Sequence, residues 1–338
     1  MKPSIAITRA TFPDVLERLR AQFDVLDNQH DGLWSQAELI ARLQGKSCAI
    51  THGSDRIDAV LLDACPQLRA VCNVGVGYNN IDVEACTARG VLVTNTPDVL
   101  TETTADFGFA LLMATARRIA ESDRYVRARQ WNKTGIYDML LGGDIHGATL
   151  GIFGMGRIGQ AIARRGAHGF NMRVVYHNRS RLDPAIEAEC RATYVDKETL
   201  FAQADHLIVV LPYSPSSHHA IGAAELRLMK PSATLVNIAR GGVIDDGALA
   251  AALREGVIAA AGLDVFEGEP NVRPELLDID NVVLTPHIGS ASVQTRKAMA
   301  LLAVRNLEAI CAAVHPAAPT PPTPVNPQLL DEPARLRA

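Results

Sequence analysis

The chain has 338 residues, 48% of them apolar and 21% charged, with a formal net charge of −4. That length suits two domains with a core each, and the weak negative charge argues against a nucleic-acid partner held by bulk charge. No run of about 18 apolar residues is available to span a membrane, and the five-residue apolar stretch near the start is too short for a signal-peptide core.

Strand-like and helix-like runs alternate, which points to α/β architecture with mainly parallel sheets. SIAITR, FDVLDN, SCAITH, LRAVCNVG and VLVTN read as strands, and VLERLRAQF, QAELIARL, DAVLLDAC and VEACTARG as the helices between them. This first α/β unit ends near residue 98. Pro97 and Asp98 mark the approach to a long helix over 101–118 whose ADFGFALLMATA core is apolar nearly all round, the pattern of a buried helix. Residues 121–147 read as an irregular excursion. Six strands follow, at 150–153, 173–177, 206–211, 233–238, 259–264 and 281–285, with helices at 157–168, 196–203, 223–229 and 245–255. Six such strands fit a doubly wound sheet in the order 3-2-1-4-5-6. A last long helix after 290 leads to the proline-rich HPAAPTPPTPVNP, expected to be extended or disordered. The six cysteines show no C-x-x-C spacing, so reduced thiols in a cytoplasmic protein are expected.

ATLGIFGMGRIGQAIARR carries the G-x-G-x-x-G spacing at Gly154, Gly156 and Gly159. The motif alone is weak, but here it follows an apolar strand and opens a helix within a unit of about 30 residues. Such a turn brings a dinucleotide pyrophosphate to the helix N-terminus. At the end of the second strand an NAD enzyme places Asp or Glu against the ribose 2′-hydroxyl. VVYHNRSR has His177 and Asn178 there, followed by Arg179, Ser180 and Arg181. Without a carboxylate, a 2′-phosphate meets no repulsion, and arginine can grip it. NADP(H) is therefore expected over NAD(H), with NAD(H) still usable. Further positions assigned to the cofactor are Met155, Arg157, Ile158, Leu211, Pro212, Ile238, Ala239, Arg240, His287 and Thr104. Asp264 either contacts the nicotinamide end or caps the turn that follows it.

NIARGG at 237–242, LDVFEGEP at 263–270 and TPHIGS at 285–290 each follow a strand. Arg240, Glu269 and His287 then stand at the carboxyl ends of neighbouring strands, about 4.8 Å apart at each step. Reduction of a 2-keto acid needs a hydride at C2, a proton for the forming alkoxide and a hold on the carboxylate. His287 suits the proton donor, Glu269 can fix its ring, and Arg240 can bind the carboxylate or polarise the carbonyl. No metal site is expected. His218 and His219 are adjacent, so both cannot easily face one ion, and no third ligand is spaced to help them.

With these motifs the chain resembles the D-isomer-specific 2-hydroxyacid dehydrogenase family, most of all its glyoxylate/hydroxypyruvate reductase and 2-ketogluconate reductase group. The resemblance runs from about residue 45 to PVNP at 324–327. It implies a Rossmann nucleotide domain (99–289) inserted into a smaller flavodoxin-like substrate domain (1–98 and 290–338). It also implies a substrate-carboxylate loop in NVGVGYNNID, where Val76 and Gly77 offer backbone amides, and a homodimer. The family's Arg, Glu and His fall on Arg240, Glu269 and His287. The expected activity is NADPH-preferring reduction of glyoxylate, hydroxypyruvate or 2-ketogluconate to the D-2-hydroxy acid, with no nucleic-acid or membrane partner. The alternatives are an NAD-linked dehydrogenase of the phosphoglycerate type, and a non-catalytic dinucleotide-sensing module like a corepressor.

Overall fold

The computed structural model describes residues 2–312, 320–332 and 336–337. The first five residues of HPAAPTPPTPVNP, 315–319, lie outside the described residues. The chain divides into two compact units, one formed by Met1–Leu100 with Ser292–Ala338 and the other by Thr101–Ala291. Each crossing falls two residues later than the sequence suggested.

The first unit holds strands β1 (Ser4–Ile7), β2 (Asp24–Leu26), β3 (Cys48–Thr51), β4 (Ala70–Asn73) and β5 (Leu92–Thr94), all parallel, in the order β2-β1-β3-β4-β5. β3 and β4 are buried along their whole length, as strands covered by helices on both faces must be. Helices Pro13–Gln22 and Val293–Ala312 contribute Val15, Leu19, Val304 and Leu307 to the core on one face. Helices Gln36–Leu43 and Ala59–Ala64 contribute Leu39, Leu43, Leu61 and Leu62 on the other.

The second unit is a seven-stranded parallel sheet: β6 (Thr149–Phe153), β7 (Arg173–His177), β8 (Ala192–Tyr194), β9 (His206–Val209), β10 (Thr234–Asn237), β11 (Ala260–Leu263) and β12 (Val282–Leu284). Their order is β12-β11-β10-β9-β6-β7-β8. This is the doubly wound arrangement with one strand more than the sequence reading counted. The extra strand, β8, is three residues long at the sheet edge, and only Ala192 in it is buried. It carries no apolar run that periodicity can detect. The correction matters for topology. With six strands, 206–211 would lie on the far side of β7, whereas β9 pairs directly with β6, Gly151 opposite Leu207. Arg240 therefore stands beyond a strand two places from the glycine turn, not one, while β10, β11 and β12 remain neighbours.

The helix Thr101–Ala116 packs on β10 and β11 and against the helix Arg157–Arg164. Its apolar girth has a physical cause in that double contact. Four helices were missed, Ile119–Arg127, Pro184–Cys190 and the four-residue Pro274–Leu277 and Gln328–Asp331. The first buries no residue, so it offers no apolar stripe to read. The second buries only Glu187 and Cys190. No helix among the described residues is long and apolar enough to cross a membrane.

Candidate active site

The turns after β10, β11 and β12 carry the chemistry. They are forced together by backbone contact. A Cβ on Gly241 would overlap the Phe266 carbonyl, so only glycine lets the turn after β10 lie on the turn after β11. Glu269 sits three residues beyond Phe266 and receives that residue's backbone N–H on Oε1 at 2.9 Å. Its other oxygen, Oε2, lies 2.7 Å from Nδ1 of His287, which follows β12. Both oxygens are thus engaged, and the histidine ring is oriented from behind.

His287 has φ of +52°, a left-handed conformation that non-glycine residues avoid. Holding it costs on the order of 1–3 kcal/mol, which the surroundings must over-determine. Asp264, buried at the end of β11, does this. Its carbonyl accepts the His287 N–H at 2.9 Å. Its carboxylate accepts the N–H groups of Ile288 and Gly289 and the Thr285 hydroxyl, at 2.9, 2.8 and 2.7 Å. Burial raises the Asp264 carboxyl above its usual value against the pull of these donors. Of the two roles open to Asp264, the cap on the following turn is the one these contacts describe.

Arg240 donates from Nη1 to its neighbour's carbonyl, Ala239 O, at 2.7 Å, and its own carbonyl accepts from Asn237 Nδ2 at 3.3 Å. Burial lowers its pKa, and the Glu269 carboxylate acts in the opposite sense. For Glu269 itself burial pushes the carboxyl up. The hydrogen bond from His287, that ring's charge, the Phe266 N–H and Arg240 outweigh burial and leave it below the usual 4.5. The site is a carboxylate between an arginine and a histidine, chemically a proton donor beside a fixed cation.

At the other end of the sheet edge, Gly154 has φ of +103° and its α-carbon faces the Val210 carbonyl so closely that a Cβ would come within 2.8 Å. Leu211 packs beside it, and Gly159 approaches the Gly154 carbonyl. Gly156 has open space where its side chain would be, just before the helix Arg157–Arg164, whose start makes no side-chain cap hydrogen bond. Met155 is buried, and Ile158 packs partly buried on the same core. Ile238 and Ala239 are buried, and Pro212 is exposed. Thr104 is buried with its Oγ1 covered and without a hydrogen-bond partner among the described residues. An open cradle over Gly156, a helix N-terminus and an orphaned hydroxyl fit a phosphate-bearing dinucleotide.

The segment after β7 divides its work. Asn178 Oδ1 accepts the Met155 N–H at 2.6 Å, tying the end of β7 to the glycine turn. His177 stacks on Tyr194 with centroids 5.7 Å apart, and its Nδ1 lies 2.9 Å from the Val195 carbonyl. Arg181 donates to Glu187 at 2.7 Å, and that carboxylate also accepts the Tyr176 hydroxyl. Arg179 and Ser180 are the exposed donors left in this segment. The Glu187 partner, six residues on, is what sequence reasoning missed.

In the other unit, Asn95 and Asn73 donate to the carbonyls of Val76 and Gly77 at 2.9 and 3.0 Å. The N–H groups of Val76 and Gly77 have no acceptor among the described residues.

The Glu269 shift has a consequence for stability. A carboxyl held below its usual value in the fold stabilises it above about pH 4.5, and that contribution vanishes as the pH falls through the depressed value. Glu269→Gln should lower the melting temperature at neutral pH, and the gap to the unaltered protein should close in thermal scans below pH 4.5. A gap independent of pH would contradict the ion pair.

Residues 109–289 match the family model for the D-isomer specific 2-hydroxyacid dehydrogenase, NAD binding domain. The chain is 47% identical to a glyoxylate reductase of Thermococcus onnurineus, with 98% of each chain covered. It is 46% identical to that of Pyrococcus furiosus, covering 98% of this chain and 97% of the relative. Among solved structures, the NADPH-dependent glyoxylate/hydroxypyruvate reductase of Sinorhizobium meliloti, in complex with NADP and malonate, superposes with a TM-score of 0.83. It is 38% identical, with 96% of this chain and 97% of that one covered. A D-isomer specific 2-hydroxyacid dehydrogenase from a Polaromonas species, described as putative in its own structure, gives a TM-score of 0.87 at 34% identity, with 96% and 100% covered. Together with the Arg240, Glu269 and His287 geometry and the glycine turn, these matches make the chain a member of the D-isomer specific 2-hydroxyacid dehydrogenases, oxidoreductases that use a nicotinamide dinucleotide.

Proposed function

We propose that the chain reduces a short 2-keto acid to its D-2-hydroxy acid, taking NADPH in preference to NADH. Glyoxylate and hydroxypyruvate are the first substrates to test, and 2-ketogluconate is the longer candidate. The observation that carries this reading is the His287–Glu269 pair, 2.7 Å apart on neighbouring turns. The names of the relatives, glyoxylate reductases and a glyoxylate/hydroxypyruvate reductase, supply the substrate class.

When bound, the reduced nicotinamide supplies a hydride to the carbonyl carbon. His287 gives its proton to the oxygen that becomes the alkoxide, and Glu269 holds the ring in position and balances the imidazolium charge. Arg240 stabilises negative charge on the substrate through charge-assisted hydrogen bonds. The Val76 and Gly77 amides are assigned the substrate carboxylate. The glycine turn, from Gly154 through Met155, Gly156, Arg157 and Ile158 to Gly159, would hold the pyrophosphate. Thr104, Leu211, Pro212, Ile238 and Ala239 would line the remainder of the cofactor.

The preference for a 2′-phosphate rests on the missing carboxylate after β7 and on Arg179 and Ser180, both exposed there. Arg181 is shared with Glu187, so Arg179 is expected to contribute most. The chain is also proposed to work as a homodimer. Trp131, Ile136, Tyr137 and Leu141 are each at least 60% exposed, a density of bare apolar side chains that marks a protein contact. A monomeric mass in light scattering would contradict it.

The test is a steady-state assay following loss of reduced cofactor, with NADPH and NADH in parallel across the three keto acids. Arg179→Ala should raise KM for NADPH far more than for NADH. Equal effects on the two would remove the phosphate contact, and tight dinucleotide binding without turnover on any keto acid would favour a sensing module.

A further inference from the structure

The sequence set aside His218 and His219 because adjacent residues cannot easily face one ion and no third ligand is spaced to help them. The structure removes that objection. His218 is extended, with φ of −63° and ψ of 125°, but His219 is left-handed, with φ of +49°. The change of hand between them brings both rings to one side, stacked with centroids 3.9 Å apart and planes inclined by 22°. The His219 N–H donates to the Gly242 carbonyl at 2.7 Å, which fixes the kink to the turn after β10.

The missing third donor comes from the turn after β11. Glu267 Oε2 lies 3.2 Å from His219 Nε2, and the Glu267 backbone N–H donates to Asp246 at 3.1 Å, anchoring that turn. One ligand atom from each of His218, His219 and Glu267 can be chosen so that all lie within 4.8 Å of one another. Two imidazoles and a carboxylate are a zinc-type donor set that leaves a fourth position for water. Tetrahedral bonds of about 2.1 Å set neighbouring donors about 3.4 Å apart, a small contraction from atoms that already lie within 4.8 Å of one another. The Tyr213 hydroxyl, 3.1 Å from Nδ1 of His218, stands where an outer partner fixes the tautomer of a metal-bound histidine.

We propose that His218, His219 and Glu267 form a binding site for a divalent transition ion of the zinc type, separate from the residues assigned to catalysis. Its occupancy ties two turns together, since Gly242 lies two positions after Arg240 and Glu267 two before Glu269. The site does not depend on the proposed reaction, and neither does its test.

Cobalt(II) serves as the probe, because it takes zinc sites and absorbs visibly in a tetrahedral field. The full chain should bind one Co2+ with a saturable visible band at sub-millimolar metal, and Zn2+ should bleach that band. His219→Ala and Glu267→Gln should each weaken binding at least about tenfold. All three side chains are exposed, so the variants should keep the parent's circular dichroism. Absence of a saturable band, or one unchanged in His219→Ala, would overturn the proposal. A band lost in His219→Ala but unaltered in Glu267→Gln would overturn the assignment of Glu267.

Discussion

The site depends on one contact, the hydrogen bond between the Glu269 carboxylate and the His287 ring. Hydrogen bonds to charged groups contribute about 1.5–3 kcal/mol, comparable to the strain of a left-handed histidine. The fold spends several independent constraints on holding this pair. Gly241 lets the turn that carries Arg240 lie on the Phe266 carbonyl, Phe266 gives its N–H to Glu269, and Asp264 gathers the turn on either side of His287. Removing the carboxylate of Asp264 would leave the N–H groups of Ile288 and Gly289 without their acceptor, so its role is positioning.

The same sheet edge supports the cofactor by a different device. Backbone shape does most of the work at Gly154 and Gly156, and side chains intervene only where the glycine turn meets the end of β7. Asn178 stands near where an acid would select NAD, and spends its carbonyl on the Met155 N–H. Arg181 and Glu187 form a pair that neutralises much of the local positive charge, while Arg179 keeps its exposure. Structural contacts therefore occupy His177, Asn178 and Arg181, while Arg179 and Ser180 between them stay exposed.

What was legible in the sequence follows from how local each signal is. The glycine turn and the three motifs after β10, β11 and β12 could be read because each follows an apolar run, TLGIF, TLVN, AAGL and VVL, and a parallel sheet brings strand ends to one edge. β8 could not be read, since its three residues, ATY, carry no apolar run. The error displaced 206–209 from beside β6, though it left the neighbours β10, β11 and β12 intact. Asp264 and Glu187 were visible as acids, but their partners lie up to 25 residues away and only folding supplies them. The juxtaposition of His219 and Glu267 was hidden for a further reason. It rests on a left-handed backbone held by a carbonyl from another turn, and no residue type at 218 or 219 announces it.

The central claim is that His287 is the proton donor and that dinucleotide binding is a separate property of the same sheet edge. The direct measurement is single-turnover reduction by His287→Ala with saturating reduced cofactor, with cofactor affinity measured on the same sample by fluorescence. General acid catalysis typically contributes about 10²–10⁴-fold, so the reduction rate should fall by that order while affinity stays within a factor of about three. A rate within about threefold of the unaltered protein would contradict the account. A large loss of cofactor affinity with the reduction rate preserved would assign His287 to binding instead.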